Sequence, residues 1–362
     1  MFQKPSADAD GIKKKRRKKM SRMNYMTPEY EETYIKNMEK ILSLRPQVEK
    51  IVDQVMTPEK KNLFLVGIGG TLAIMLPFMK MFKKMSDAPV YAENAAELLA
   101  EGNRELCSDS VIFLMSDSGS TKEIIEVIKM AKEIGAVTIC GIGHKDTPIE
   151  KLVDHSVLYL YKDAYTADAD YLLQYMFFAY YLEKRGEFPD YQKFTEDLAR
   201  LPKALVEVKR QGDIQGEEYA KKYHKEDYTI FTAGGNIWGE IYCFAMCVLE
   251  EMQWIRTKSV TASDFFHGTL ELVDEDTHVF IAKCEDESRP VTDRIEKFCR
   301  QYSDKVTVYD TKDYALEGID PEYRSMFSPL VICAAVGRIS PHMEYATGHS
   351  LAFRRYYKVV DY

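Results

Sequence analysis

The chain has 362 residues, 46% hydrophobic and 29% charged, an ordinary globular composition with enough apolar material for two domains. No run approaches the roughly 18 uncharged apolar residues of a membrane span and no secretory signal opens the chain, so a soluble cytoplasmic protein is expected. The net charge of −8 is uneven: residues 1–22 carry nine Lys/Arg against Asp8 and Asp10, leaving −15 for the rest, and an acidic body argues against nucleic acid as the main ligand.

In chain order, residues 1–28, with "KKKRRKK" at 13–19, read as a disordered basic leader rather than a nucleic-acid or membrane tether, with Met20 and Met23 as alternative starts. Tyr34, Met38, Ile41, Leu42, Val48, Ile51, Val52 and Val55 recur at helical spacing, which predicts N-terminal helices over 29–60. The period then changes. "NLFLVGI" (62–68), "SVIFLM" (110–115), "AVTICGI" (136–142) and "HSVLYLY" (155–161) are short apolar runs alternating with helical stretches at 71–84, 92–100 and 121–134. Such alternation predicts a parallel sheet covered on both faces, a first α/β domain over 61–164. Residues 165–225 read as a helical connector. Alternation resumes over 226–345 with "DYTIFTAGG", a helix over about 237–252, "KSVTAS", "HVFIAK", a helix at 290–303 and "KVTVYD", and residues 346–362 form a tail. The seven cysteines are odd in number and show no CxxC, so reduced, mostly buried thiols are expected in place of disulfides or a zinc site.

The halves repeat each other: "LFLVGIGGTLAI" and "YTIFTAGGNIWG" each set a glycine pair, 69/70 and 234/235, between a strand and a helix. Either loop could bring helix N-terminal amides to a phosphate. GxGxxG fails at residues 67–72 (GIGGTL) and no Walker pattern occurs, which removes dinucleotides and nucleoside triphosphates as expected ligands. The loop "SDSGST" at 116–121 is richer, with four hydroxyls and free amides at the C-terminal end of a strand, where open parallel sheets bind ligands. A plain Ser/Thr helix cap would need only one of those hydroxyls.

The "GGT" loop, the "SDSGSTKE" loop and the strand and helix order resemble the sugar isomerase (SIS) domain family. The resemblance covers roughly residues 35–362 and implies an α/β fold of two tandem SIS domains, each a mostly parallel sheet flanked by helices in a flavodoxin-like three-layer sandwich. It implies that Gly70, Thr71, Ser116, Ser118 and Thr121 hold a sugar phosphate. The family's catalytic Glu, followed sixteen residues on by a His in a motif similar to "SDFFHG", selects Glu251 and His267. Glu250 is a rival to Glu251, since helix ends are uncertain by a residue or two. "EMQWI", "FFHG" and the closing "RRYYKVVDY" resemble the fructosamine-6-phosphate deglycase branch, with His349 and Arg355 as candidates for closing the site.

The resemblance implies hydrolysis of a phosphorylated sugar-amine such as fructoselysine 6-phosphate to glucose 6-phosphate and a free amino acid. No metal or cofactor is expected. It also implies a homodimer with sites at the subunit interface. A ketose/aldose phosphosugar isomerase, an aminosugar-phosphate deaminase and a non-catalytic sugar-phosphate-binding regulator stay open as alternatives.

Overall fold

The computed structural model describes residues 25–57, 59–159, 166–357 and 359–360. The expected basic leader, up to residue 24, lies outside the described residues. Two parallel sheets form. The first has strands β1 (Asn62–Gly67), β2 (Val90–Asn94), β3 (Ser110–Ser116), β4 (Val137–Ile142) and β5 (His155–Leu158) in the order β2-β1-β3-β4-β5. The second has β6 (Tyr228–Ala233), β7 (Arg256–Thr261), β8 (Val279–Lys283) and β9 (Val306–Asp310) in the order β7-β6-β8-β9. Every pairing within both sheets is parallel, as the continuous apolar runs predict. The α/β class and the two parallel sheets flanked by helices are therefore as expected. In both halves the strand order reverses beside the first strand, between β1 and β3 and between β6 and β8, which creates the crevice where open sheets bind ligands.

The sequence reading misses β2. Its residues "VYAEN" are all half-buried, as befits an edge strand with no apolar face, and the helix expected at 92–100 is confined to Ala95–Glu101. It also assigns no element to Pro321–Val336, a helix buried along "SPLVICAAV". A segment enclosed on all sides loses the amphipathic period that marks a surface helix.

The stretch read as a connector supplies the core shared by the two sheets. The helix Thr166–Lys184 lays Phe177 and Phe178 against Phe113 of β3, with ring centroids 4.7 and 4.8 Å apart. The helix Tyr191–Tyr223 brings Tyr219 to Phe280 of β8. Its Gly212 and Gly216 leave room for the backbone at Ala335 and Arg338, against which any Cβ would collide. One apolar cluster thus runs from Leu63, Leu65 and Phe113 in the first sheet to Phe231 and Phe280 in the second. Within it Lys209 Nζ lies 2.7 Å from Asp168 Oδ2, with both side chains 4% exposed, and 4.7 Å from the Tyr34 ring centroid. Among the described residues no helix is long and apolar enough to cross a membrane.

Two predictions concern this core. Removing one partner of a buried ion pair strands the other charge, so Lys209→Met is expected to lower unfolding free energy by about 3–5 kcal/mol in urea titrations. Burial pushes the Glu240 carboxyl up to about 8, although the Tyr171 hydroxyl at 3.1 Å opposes this. The folded value lies above the ordinary 4.5, so the folded state holds a proton that the unfolded state releases. Stability should fall as pH rises from about 4.5 to about 8, and Glu240→Gln should flatten that slope.

Candidate active site

The β1/β3 crevice is lined by two loops. After β1, Thr71 folds back on its own loop: its Oγ1 donates to the Ile68 carbonyl at 3.0 Å and lies 3.1 Å from the Ile68 amide. After β3, Ser116 is buried and its Oγ lies 3.3 Å from Thr121 Oγ1. Ser118 and Ser120 share a hydroxyl contact of 3.2 Å. Thr121 occupies the N-cap of the helix Lys122–Ile134 with extended backbone, but its side chain makes no cap hydrogen bond. The plain capping role is therefore unfilled, and the first amides of a 13-residue helix carry no side-chain cap, the condition that favours an anion there. Gly119 makes the loop possible: its φ is +60°, and a Cβ would collide with the Thr147 side chain.

The corresponding crevice of the second sheet is filled. Asp286 enters the 234/235 loop and accepts from the Asn236 amide (2.8 Å), the Ser288 amide (2.8 Å) and Cys284 Sγ (2.9 Å). Burial opposes the charged form, yet these donors hold the Asp286 carboxyl below its ordinary value. A carboxylate already occupies the anion position, so of the two glycine-pair loops only the first is open to a phosphate.

Glu251 lies at the end of the helix that follows β6. The helix is α-helical over Trp238–Cys243 and π-helical over Phe244–Met252, a rare geometry that is frequent at functional sites. It crosses the β1 loop at backbone contact. A Cβ on Gly239 would strike the Ala73 carbonyl, and a Cβ on Gly70 would lie 3.1 Å from Cys247 Sγ. Cys247 is one turn before Glu251 and within its field. The helix that carries Glu251 thus meets the glycine loop of the first half through Cys243 and Cys247, while Glu251 itself, one turn further on, faces the tail. The chain then turns through Trp254, whose φ is +60°, into β7.

The tail packs onto this turn. Arg354 Nε lies 2.8 Å from Glu251 Oε1, whereas Glu250 accepts from Thr257. Arg355 stacks over the Trp254 ring at 4.2 Å, and His349 meets the same ring edge-on at 4.3 Å. The His349 carbonyl accepts from Gln253 Nε2 at 2.9 Å. Burial, then Arg355, holds the His349 ring below its ordinary value. Glu250, Glu251, Trp254, Arg354 and Arg355 border a cavity of about 770 Å³ that also includes Arg256 and Tyr356; His349 is not part of its lining. Arg354 is the contact to Glu251 that sequence reasoning missed; in "RRYY" nothing distinguishes it from Arg355.

His267 is placed elsewhere. It is exposed, in the turn after β7, with its amide donating to the Asp264 carbonyl at 2.9 Å. Glu251 precedes β7 and His267 follows it, so the six-residue strand, about 20 Å long, lies between them in the chain.

A hydroxyl-lined, uncapped helix entrance at the reversal point of a parallel sheet is the setting of a phosphosugar-binding domain, and residues 57–182 match the SIS domain family model. The chain carries a SIS domain over its first sheet. Among curated proteins, fructosamine deglycase FrlB of Bacillus subtilis is 28% identical over 305 residues, covering 83% of this chain and 92% of the relative. Fructoselysine 6-phosphate deglycase of Escherichia coli is 24% identical over 331 residues, covering 90% and 94%. Among solved structures, a phosphosugar isomerase candidate from Bacillus subtilis superposes with a TM-score of 0.84 at 26% identity, covering 90% of this chain and 99% of that one. The likeness therefore extends over both sheets.

Gly119→Ala places a side chain in the left-handed region and against Thr147. A stability loss of about 1–3 kcal/mol is expected, measurable as a lowered thermal midpoint.

Proposed function

We propose that the chain is a phosphosugar-processing enzyme that hydrolyses a fructosamine 6-phosphate to glucose 6-phosphate and a free amino acid. The observation that carries this reading is the join between the halves: the helix bearing Glu251 crosses Gly70 of the first glycine loop, and the Ser116–Thr121 loop of the same sheet leads into an uncapped helix. The names of the two deglycase relatives, matched over most of their length, support the substrate class.

Gly70, Thr71, Ser116, Ser118 and Thr121 hold the 6-phosphate by hydroxyl and amide donation. His267 of a second copy moves the ring-oxygen proton as the sugar opens, a task suited to imidazole. Glu251 removes a proton from C1 of the open fructosamine, giving an enaminol, and a proton returned to C2 leaves an imine at C1. Water adds to that carbon and the amine departs, so one water is consumed for each glucose 6-phosphate released. Arg354 fixes the Glu251 carboxylate, and the tail residues His349 and Arg355, seated on Trp254, close the site. The active form is a homodimer, because each chain offers the carboxylate and the imidazole at opposite ends of β7. The cytoplasm, where sugar phosphates are held, is its proposed location.

Purified protein with phosphorylated fructosamines of several amino acids should release glucose 6-phosphate; interconversion of free ketose and aldose phosphates without such release would assign an isomerase instead. Glu251→Gln and His267→Ala should each lower kcat by about 10²–10⁴-fold. Mixing the two variants should restore activity to about a quarter of wild type, since random pairing makes half the dimers mixed, each with one intact site. Mixtures as inactive as their parents would refute the shared site.

A further inference from the structure

Cys243 and Cys247 lie four residues apart on the helix that carries Glu251, with sulfurs 3.9 Å from each other. Both are half-buried, whereas Cys140, Cys284, Cys299 and Cys333 are buried. Both sulfurs face the first glycine loop: a Cβ on Gly70 would lie 3.1 Å from Cys247 Sγ and 3.2 Å from Cys243 Sγ. The two thiols are also inequivalent. The hydrogen bond from Cys243, aided by the Gly70 amide and opposed by burial, holds the Cys247 thiol below its ordinary value, while Cys243, as donor and buried, is held above. A thiol held below its ordinary value beside one held above it is the arrangement of an attacking and a resolving cysteine.

We propose that Cys243 and Cys247 form an oxidant-sensitive dithiol that closes to a disulfide and displaces the Gly69–Ala73 segment of the β1 loop. In the first step the Cys247 thiolate attacks one oxygen of hydrogen peroxide. The O–O bond breaks, sulfur is oxidised to a sulfenic acid, and the departing hydroxide takes a proton to become water. In the second step the Cys243 sulfur attacks the Cys247 sulfur and the S–O bond breaks. The Cys243 proton leaves with the hydroxyl as a second water, and a dithiol reductant reverses the change. Residues one helical turn apart hold their Cβ atoms about 5–6 Å from each other, whereas a disulfide needs about 3.5–4.5 Å and sulfurs about 2.05 Å apart, so closing the bond must also shift the helix backbone. At least one sulfur therefore swings away from Gly70. The contact that seats the loop against the helix is lost, and with it the fit of the first crevice.

Mass spectrometry and hydrogen exchange on the full chain test this without any activity assay. Peroxide should remove two hydrogens from the peptide holding both cysteines, and dithiothreitol should restore them. Cys243→Ser should halt at a Cys247 sulfenic acid that dimedone traps, and Cys243→Ala, which keeps the attacking thiol, should do the same if the serine variant folds poorly. Amide exchange in residues 68–74 should rise about tenfold on oxidation and return on reduction. An unchanged mass at this peptide under peroxide that oxidises half-buried Cys107 would overturn the proposal. So would a disulfide that leaves exchange in residues 68–74 unaltered.

Discussion

The constraint on which the site depends is a backbone crossing. Gly239 meets the Ala73 carbonyl and Gly70 meets two sulfurs, so the helix after β6 lies directly on the loop after β1. Larger residues at either glycine would separate them by the thickness of a side chain. Because the loop and the helix come from different halves, this crossing is what fixes one sheet's loop against the other sheet's helix.

The halves share a strand order but not a role. In the first, four hydroxyls and an uncapped helix leave donors available; in the second, Asp286 supplies the anion from within and the same donors become structural. The internal carboxylate holds its loop without a ligand, which suits a half whose contribution is to present Glu251 and His267. β7 then acts as a spacer, keeping those two groups at opposite edges of one sheet.

Much of this is legible in the sequence. The Val- and Ile-rich runs give the parallel strands, because burial on both faces removes the need for alternation. "SDSGST" after such a run gives the crevice. Other features leave no trace in one dimension. β2 is an edge strand without an apolar run, and Pro321–Val336 is enclosed too fully to show a period. Asp286, in "CEDES", is one acid among three until its loop folds onto Asn236. The sixteen-residue spacing of Glu251 and His267 does not by itself reveal that the whole of β7 lies between them. Arg354 becomes visible only when the tail returns to Glu251.

Duplicated halves invite the picture of two lobes that rock about a hinge. The apolar cluster running from β3 through Thr166–Lys184, Tyr191–Tyr223 and Pro321–Val336 to β8 forecloses that motion, since parting the lobes would wet aromatic rings and expose the Asp168–Lys209 pair. Any rearrangement around the cradle that spared this core would have to be local, on the scale of a loop, and the shared aromatic packing makes the two sheets one frame.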